Sequence, residues 1–257
     1  MKTEEEVEDF ILNGHKHYLR HITIDCAIIG YHDQQLKILL VKWKHLNGWG
    51  LPGGFIMNEE TLNEAANRIL MEKTSLSDLF LQQFYTFGDS FFRLSKKDWD
   101  KDQRLLIPIP EDNWLLERTI SIGYYAVVDF EKVSISPDIF YDEYQWCDIQ
   151  SIPELLFDHN EMVEKAIQTI RLQIYHQPIG YNLLSEKFTL PEIHVLYETI
   201  LGKQLDRRNF PKKLMSLGIL KKLDEQRSIG PHRSPFLYEF DKENYEKALM
   251  EGIALAF

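Results

Sequence analysis

Cysteine is nearly missing from this chain: two residues, Cys26 and Cys147, in 257. They lie far apart, have no metal-ligand spacing and sit in apolar, strand-like contexts. A disulfide framework is therefore excluded, and buried free thiols in a reducing compartment are expected. Long apolar runs are missing too. None approaches the ~18 residues a membrane-spanning helix requires. The N-terminus, MKTEEEVEDF, lacks the apolar stretch of a signal peptide. The expectation is a cytoplasmic protein with no membrane partner. Basic charge is short overall, with 29 Lys+Arg against 40 Asp+Glu, and the net charge of -11 by itself argues against nucleic acid. There is no internal repeat and no low-complexity tract. What remains is an ordinary globular composition, 44% hydrophobic, with enough apolar matter for a core. The length suits one large domain or two smaller ones.

The shortage of basic residues is uneven. Residues 1–159 carry 15 Lys+Arg against 27 Asp+Glu, whereas residues 160–257 carry 14 against 13. Within the second part, Lys203 to Arg233 hold nine basic and three acidic residues. Such asymmetry directs the search for an anionic partner to one end only. Pro178 and Gly180, in YHQPIGYNLL, lie where the balance changes. They place a domain boundary near 175, giving domains over 1–175 and 176–257.

Residues 3–13 read as a short acidic helix. HITIDCAIIGY (21–31) and LKILLVKW (36–43) are β-rich runs joined by a hairpin turn at HDQQ. GWGLPGGF (48–55) reads as a Gly/Pro loop. Thr61 and Glu64 stand at capping-box spacing, and Leu62, Ala65, Ala66, Ile69 and Leu70 follow as the stripe of a packed helix. Strands are expected over 80–88, 118–130 and 144–149, with a polar insert, roughly 91–117, forming an irregular loop or flap. SIPELLF and residues 160–174 read as helical.

Between Gly54 and Leu76 the chain follows the pattern G-x5-E-x7-R-E-U-x-E-E-x-G-U, with U apolar. Gly54, Glu60, Arg68, Leu70, Glu72 and Leu76 match it in register. This stretch resembles the Nudix family, which cleaves nucleoside diphosphates linked to another moiety with a divalent metal and an activated water. Acids at 69, 72 and 73 would share one helix face and converge on a hard cation. Here those positions hold Ile69, Glu72 and Lys73, and Ser75 replaces the glycine. Lys73 sets a positive charge where the cation belongs. Arg68 and Glu72 can pair at i,i+4, and Glu64 and Lys73 fit a solvated charged face. The resemblance implies an α+β Nudix fold, a mixed sheet sandwiched by helices. Hydrolysis is not expected: no catalytic residues, no metal and no required cofactor, with Gly54, Glu60, Arg68 and Glu72 as remnant motif positions.

At the basic end, FTLPEIHVLYETILGKQLDRRNFPKKLMSLGIL reads as two amphipathic helices joined at Gly202. Leu190, Ile193, Leu196, Tyr197 and Ile200 form the stripe of the first, capped by Thr189 with Glu192. Asp206 is a natural N-cap for the second, with Phe210, Leu214 and Leu217 inward. Arg207, Arg208, Asn209, Lys212 and Lys213 are left outside, and Pro211 is expected to kink the helix. A hairpin follows, Leu220 to Leu223 and Phe236 to Phe240, its tip carrying Arg227, His232 and Arg233. Helix, turn, helix and basic hairpin make a winged-helix arrangement, with Arg207, Arg208 and Asn209 suited to base edges and the lysines to phosphates.

Together with RTISIGYYAVVDF, LLFDHNEMVEKAI and PIGYNLL, these features resemble the Nudix-related transcriptional regulators, which fuse an effector-sensing Nudix domain to a winged helix. The resemblance implies a homodimer on a palindromic double-stranded operator. It also implies an effector of the sugar, sugar-phosphate or ADP-ribose kind. Effector-site candidates are Arg68, Glu72, Asp89, Arg118 and Ser121. Arg118 could hold a phosphate or carboxylate, or could equally form a surface ion pair with Glu117 or an acid of the insert. Two other readings stay open: a Nudix hydrolase using Mg²⁺, and an adaptor whose basic helix docks an acidic protein.

Overall fold

The computed structural model describes residues 3–44, 46, 48–76, 81–89, 109–135, 141–228 and 234–255. The chain divides into two compact units. One is built from residues 1–29, 37–126 and 132–166, the other from 30–36, 127–131 and 167–257.

The first unit is organised around a seven-stranded sheet. Its strands are β1 (Tyr18–His32), β2 (Gln35–Trp43), β3 (Gly48–Gly50), β4 (Gly53–Met57), β5 (Leu81–Phe87), β6 (Ile120–Val128) and β7 (Tyr141–Asp148). The order is β3-β2-β1-β6-β5, with β4 added on β1 and β7 on β2. The β1–β2 turn is tight because Asp33 and Gln34 both take positive φ, +48° and +60°, as a two-residue hairpin loop demands. The stretch expected to be a Gly/Pro loop is largely strand. Gly48–Gly50 pairs with the end of β2, and Gly53–Met57 pairs with β1. Here glycine serves close approach rather than a turn: a Cβ on Gly53 would fall 2.1 Å from Asp25 Oδ1, and one on Gly50 would fall 2.8 Å from His159 Nδ1.

Helix α2 (Leu62–Thr74) begins at the expected capping box, with Thr61 and Glu64 bonded reciprocally. Ala65, Ala66, Ile69 and Leu70 are buried, so these members of the expected stripe form the packed face, whereas Leu62, at the first position of the helix, is exposed. Helix α1 (Glu4–Asn13) carries a second capping box, Thr3 with Glu6. It packs against the end of the insert: Asn113 Nδ2 and Trp114 Nε1 both donate to the Ile11 carbonyl, at 2.7 and 3.1 Å. Phe10 meets Trp114 edge-on at 5.3 Å. The remainder of the insert, 91–108, lies outside the described residues.

SIPELLF is not helical. Leu155 bridges to Trp49, and the Asn160 side chain satisfies the local backbone, accepting from Leu155 N–H and donating to the Pro153 carbonyl. Pro153 and this side-chain competition delay the helix, and α3 runs from His159 to Gln173.

In the second unit, β8 (Phe188–Thr189), α4 (Leu190–Leu201), α5 (Asn209–Ser216), β9 (Leu220–Gln226), β10 (Phe236–Phe240) and α6 (Lys242–Glu251) follow in order. A three-stranded sheet, β8-β10-β9, closes it. Thr189 and Glu192 form the third capping box, and Gly202 ends α4 at φ +66°. Ile193, Leu196, Tyr197 and Ile200 are buried along α4. Phe210 on α5 packs on His194 and Tyr197, with ring centroids 5.1 and 5.2 Å away. The hairpin tip of β1 and β2 belongs to this unit: Thr199 Oγ1 donates to the Gln34 carbonyl, and His32 stacks on Phe130 at 4.4 Å.

Candidate effector cleft and nucleic-acid interface

On α2 the cations and acids are sorted by depth. Arg68 is held in place: Nε donates to Glu60 Oε1 at 2.5 Å, and Nη2 donates to Glu60 Oε2 and the Phe55 carbonyl, both at 2.9 Å. Nη1 reaches Glu72 at 3.4 Å. Glu60 also accepts from the Met57 N–H, so the pair staples the loop after β4 to the helix. The hydrogen bond from Arg68 is the main cause holding the Glu60 carboxyl below its usual range. A depressed carboxyl contributes stability above the ordinary glutamate value of about 4.3, and that stability is lost as pH falls through the folded value. Thermal stability is therefore expected to drop on acidification below about pH 4.3. Glu60→Gln should fall less steeply over the same range. An identical acid profile for Glu60→Gln in a thermal melt series would remove the pair from this account.

Ile69 is 1% exposed and lies under Gly54, where an added Cβ would meet it at 3.3 Å. Lys73 was read as part of a solvated face, but it is 6% exposed, with Nζ 4.7 Å from the Tyr141 ring centroid. Tyr141 in turn directs its hydroxyl at the Gly53 carbonyl, 3.5 Å away. The acid of α2 left to solvent at this end is Glu72, 47% exposed, beside exposed Met71.

A buried polar network ties β1, β6, α3 and the segment before β4 together. Ser121 donates to Asp25 Oδ2 at 2.5 Å, Thr23 contributes a longer contact, and His159 Nε2 stands 3.7 Å from Asp25 Oδ1. The Leu51 N–H donates to His159 Nδ1 at 2.8 Å, so the ring proton sits on Nε2 and faces Asp25. Burial pushes the Asp25 carboxyl up, against the pull of His159 and Ser121. Burial pushes His159 down, against the pull of Asp25. The network holds the backbone at Leu51 and lies directly against Gly50 and Gly53.

On the basic unit, Asp206 Oδ1 accepts from the Arg208 and Asn209 N–H groups at 2.9 and 2.7 Å, and its carbonyl accepts from Phe210 N–H. Those backbone bonds hold its carboxyl below the usual range. Asp206 thus caps the turn, although regular helix starts at Asn209. Pro211 falls at the third position of α5. A first turn has no intrahelical acceptor for that nitrogen, so the expected kink is not needed. Arg207, Arg208, Asn209, Lys212 and Lys213 are all exposed, while Phe210 and Leu214 are buried. Arg227 is engaged inside the unit, with Nη1 on Glu192 and Nη2 on the Lys187 carbonyl. It joins the wing to the first turn of α4. His232 and Arg233 lie outside the described residues.

The NUDIX domain model matches residues 19–167. The chain belongs to the NUDIX family. Its C-terminal part matches the NrtR DNA-binding winged helix domain over residues 180–240. Along 88% of its length this NUDIX protein is 26% identical to the ADPR responsive transcriptional repressor NtrR of Acinetobacter baylyi, covering 84% of that protein. It superposes on Shewanella oneidensis NrtR, crystallised with a 27mer DNA, with a TM-score of 0.68 at 26% identity, covering 88% of this chain and 96% of that one. A MutT/nudix family protein from Enterococcus faecalis shares the fold, with a TM-score of 0.59 at 19% identity over 94% of this chain and all of that one.

The NUDIX helix of this chain keeps one of the three acid positions of the motif. Of the three acid positions, Glu72 alone has a carboxylate; Ile69 faces the core and Lys73 brings a positive charge. Among the described residues there is no group of three or more His, Cys, Asp or Glu that could hold a metal ion.

The five effector-site candidates fall into three places. Arg68 and Glu72 meet on α2. Arg118, expected on a strand, precedes β6 and donates from Nη2 to the Gly88 carbonyl, next to exposed Asp89. Glu117 pairs with His21 at 2.8 Å. Ser121 belongs to the Asp25 network. Sequence reasoning missed Asp25 and His159. The available signal was an acid inside an apolar strand run, HITIDCAIIGY, because a buried carboxylate requires partners.

Proposed function

We propose that this chain is a transcriptional regulator that holds operator DNA with its winged helix and senses an ADP-ribose-like effector with its NUDIX domain, without hydrolysing it. The observation that carries the second half is the inward-turned Ile69 together with buried Lys73: the pyrophosphate-cleaving scaffold is kept, and the carboxylate set that would supply its cation is not. The exposed Arg207–Lys213 face supports the first half. So do the relative described as an ADPR responsive repressor and the related chain crystallised on DNA. In this reading the chain senses with residues 1–175 and binds DNA with 176–257, as a homodimer on a palindromic operator in the cytoplasm. It needs no cofactor. Repression is the sign of regulation favoured by the named relative.

The test is product analysis after titration with ADP-ribose and magnesium. Calorimetry should register binding, and chromatography should return the ADP-ribose intact. Release of AMP and ribose phosphate at ~1 per second or faster, an ordinary enzymatic rate, would replace the sensor by a hydrolase. Retention of an acidic protein with no DNA affinity would favour the adaptor.

A further inference from the structure

Between α4 and α5 the chain turns through residues 202–208, and Leu205 within that turn is buried. A buried peptide needs partners for both of its polar groups, and two side chains of α4 supply them. Glu198 Oε1 accepts from the Leu205 N–H at 2.8 Å. His194 Nε2 faces the Leu205 carbonyl at 3.3 Å. A carbonyl only accepts, so the ring donates from Nε2. The two residues stand at i,i+4 on one helix face, with His194 Nδ1 3.5 Å from Glu198 Oε2. One side chain thus holds each polar group of the Leu205 residue. Immediately after it, the Asp206 carboxylate accepts from the Arg208 and Asn209 N–H groups. The His194 ring also meets Phe210, in the first turn of α5, edge-on at 5.1 Å. Anchoring α4 does not need this polar pair, because Ile193, Leu196, Tyr197 and Ile200 already bury its apolar face. Apolar packing tolerates small slides, whereas hydrogen bonds to one residue's backbone fix its direction.

We propose that His194 and Glu198 are positioning residues for base reading: by clamping the backbone at Leu205 they set where the chain presents Arg207 and Arg208 to DNA. This deepens the reading above and rests on it for α5 as the DNA-binding helix. The action is indirect. Base discrimination needs a guanidinium aimed at one base edge, whereas phosphate contacts carry no sequence information. Loosening the turn therefore removes sequence preference and leaves the electrostatic affinity for any duplex in place.

The test is the ratio of two affinities of the full chain, one for an operator selected from a random pool and one for a scrambled duplex of the same length. His194→Leu and Glu198→Met should each lower that ratio by roughly 10-fold, the scale of one lost hydrogen bond, by weakening the operator while the scrambled duplex binds as before. Glutamine at either position should restore most of the ratio, because its amide can donate to the Leu205 carbonyl from 194 or accept from the Leu205 N–H from 198. Thermal melts establish that each variant is folded. The Glu198 side chain is 26% exposed, so Glu198→Met carries the test if His194→Leu does not fold. A folded leucine or methionine variant with the natural ratio overturns the proposal. So does an equal loss on both duplexes, which is what general loosening of the unit would give. A natural chain that shows no operator preference at all sinks the DNA reading, and this proposal with it.

Discussion

Alanine at both Arg207 and Arg208 is expected to weaken operator binding by about 2 kcal/mol or more, roughly 30-fold, and to relax base preference at the pairs they contact. The structure makes this a clean experiment. Both side chains are exposed, whereas the anchoring of α5 depends on Phe210, Leu214 and the Asp206 cap. Removing the guanidinium groups takes away donors for base edges and leaves the packing untouched. Lys212→Ala should behave differently. It should weaken all DNA sequences alike and reduce the salt slope by about one. Anisotropy titrations on an operator selected from a random pool, at two salt concentrations, separate the two effects. An unchanged operator affinity in the double arginine variant would remove α5 as the reading helix.

Asp25→Ala is expected to cost about 3–5 kcal/mol of folding stability, because it leaves buried His159 and the Ser121 hydroxyl without the acceptor they face. The backbone at Gly53 packs directly against this carboxylate, so the damage should extend into the glycine strand. Denaturant unfolding reads the loss, with exposed Asp224→Ala as the control, expected within about 0.5 kcal/mol of the natural chain. A loss for Asp25→Ala no larger than that of the control would mean the network does not stabilise the sheet.

Local rules found most of the elements. The two capping boxes read from the sequence, Thr61/Glu64 and Thr189/Glu192, sit where helices begin, because capping is settled within four residues of chain; a third, Thr3/Glu6, was not read. The β-rich runs became β1, β2, β5, β6 and β7 with ends displaced by a few residues. Glycine misled the reading of 48–55, since its usual role in turns hides its role in letting His159 and Asp25 approach a strand. SIPELLF misled it too, because the Asn160 side chain takes over backbone groups that a helix would use. The Asp25–His159 network was invisible because its members come from distant segments and follow no period. Lys73 was placed on the wrong side of the helix for a related reason: a charged residue reads as solvent-facing unless the ring that receives it, Tyr141, is known to be there. At the basic end the reading came closer, since α5 packs through the very apolar positions that its period exposes and leaves the basic ones outward.

The most direct test of the sensor account is operator affinity measured with and without saturating ADP-ribose, paired with ADP-ribose affinity measured with and without operator. The account predicts a coupling of about 1–3 kcal/mol, a 5- to 150-fold change in operator affinity, with the same factor recovered in the reciprocal titration. Saturation of the NUDIX domain with intact ADP-ribose that leaves operator affinity unchanged would contradict it.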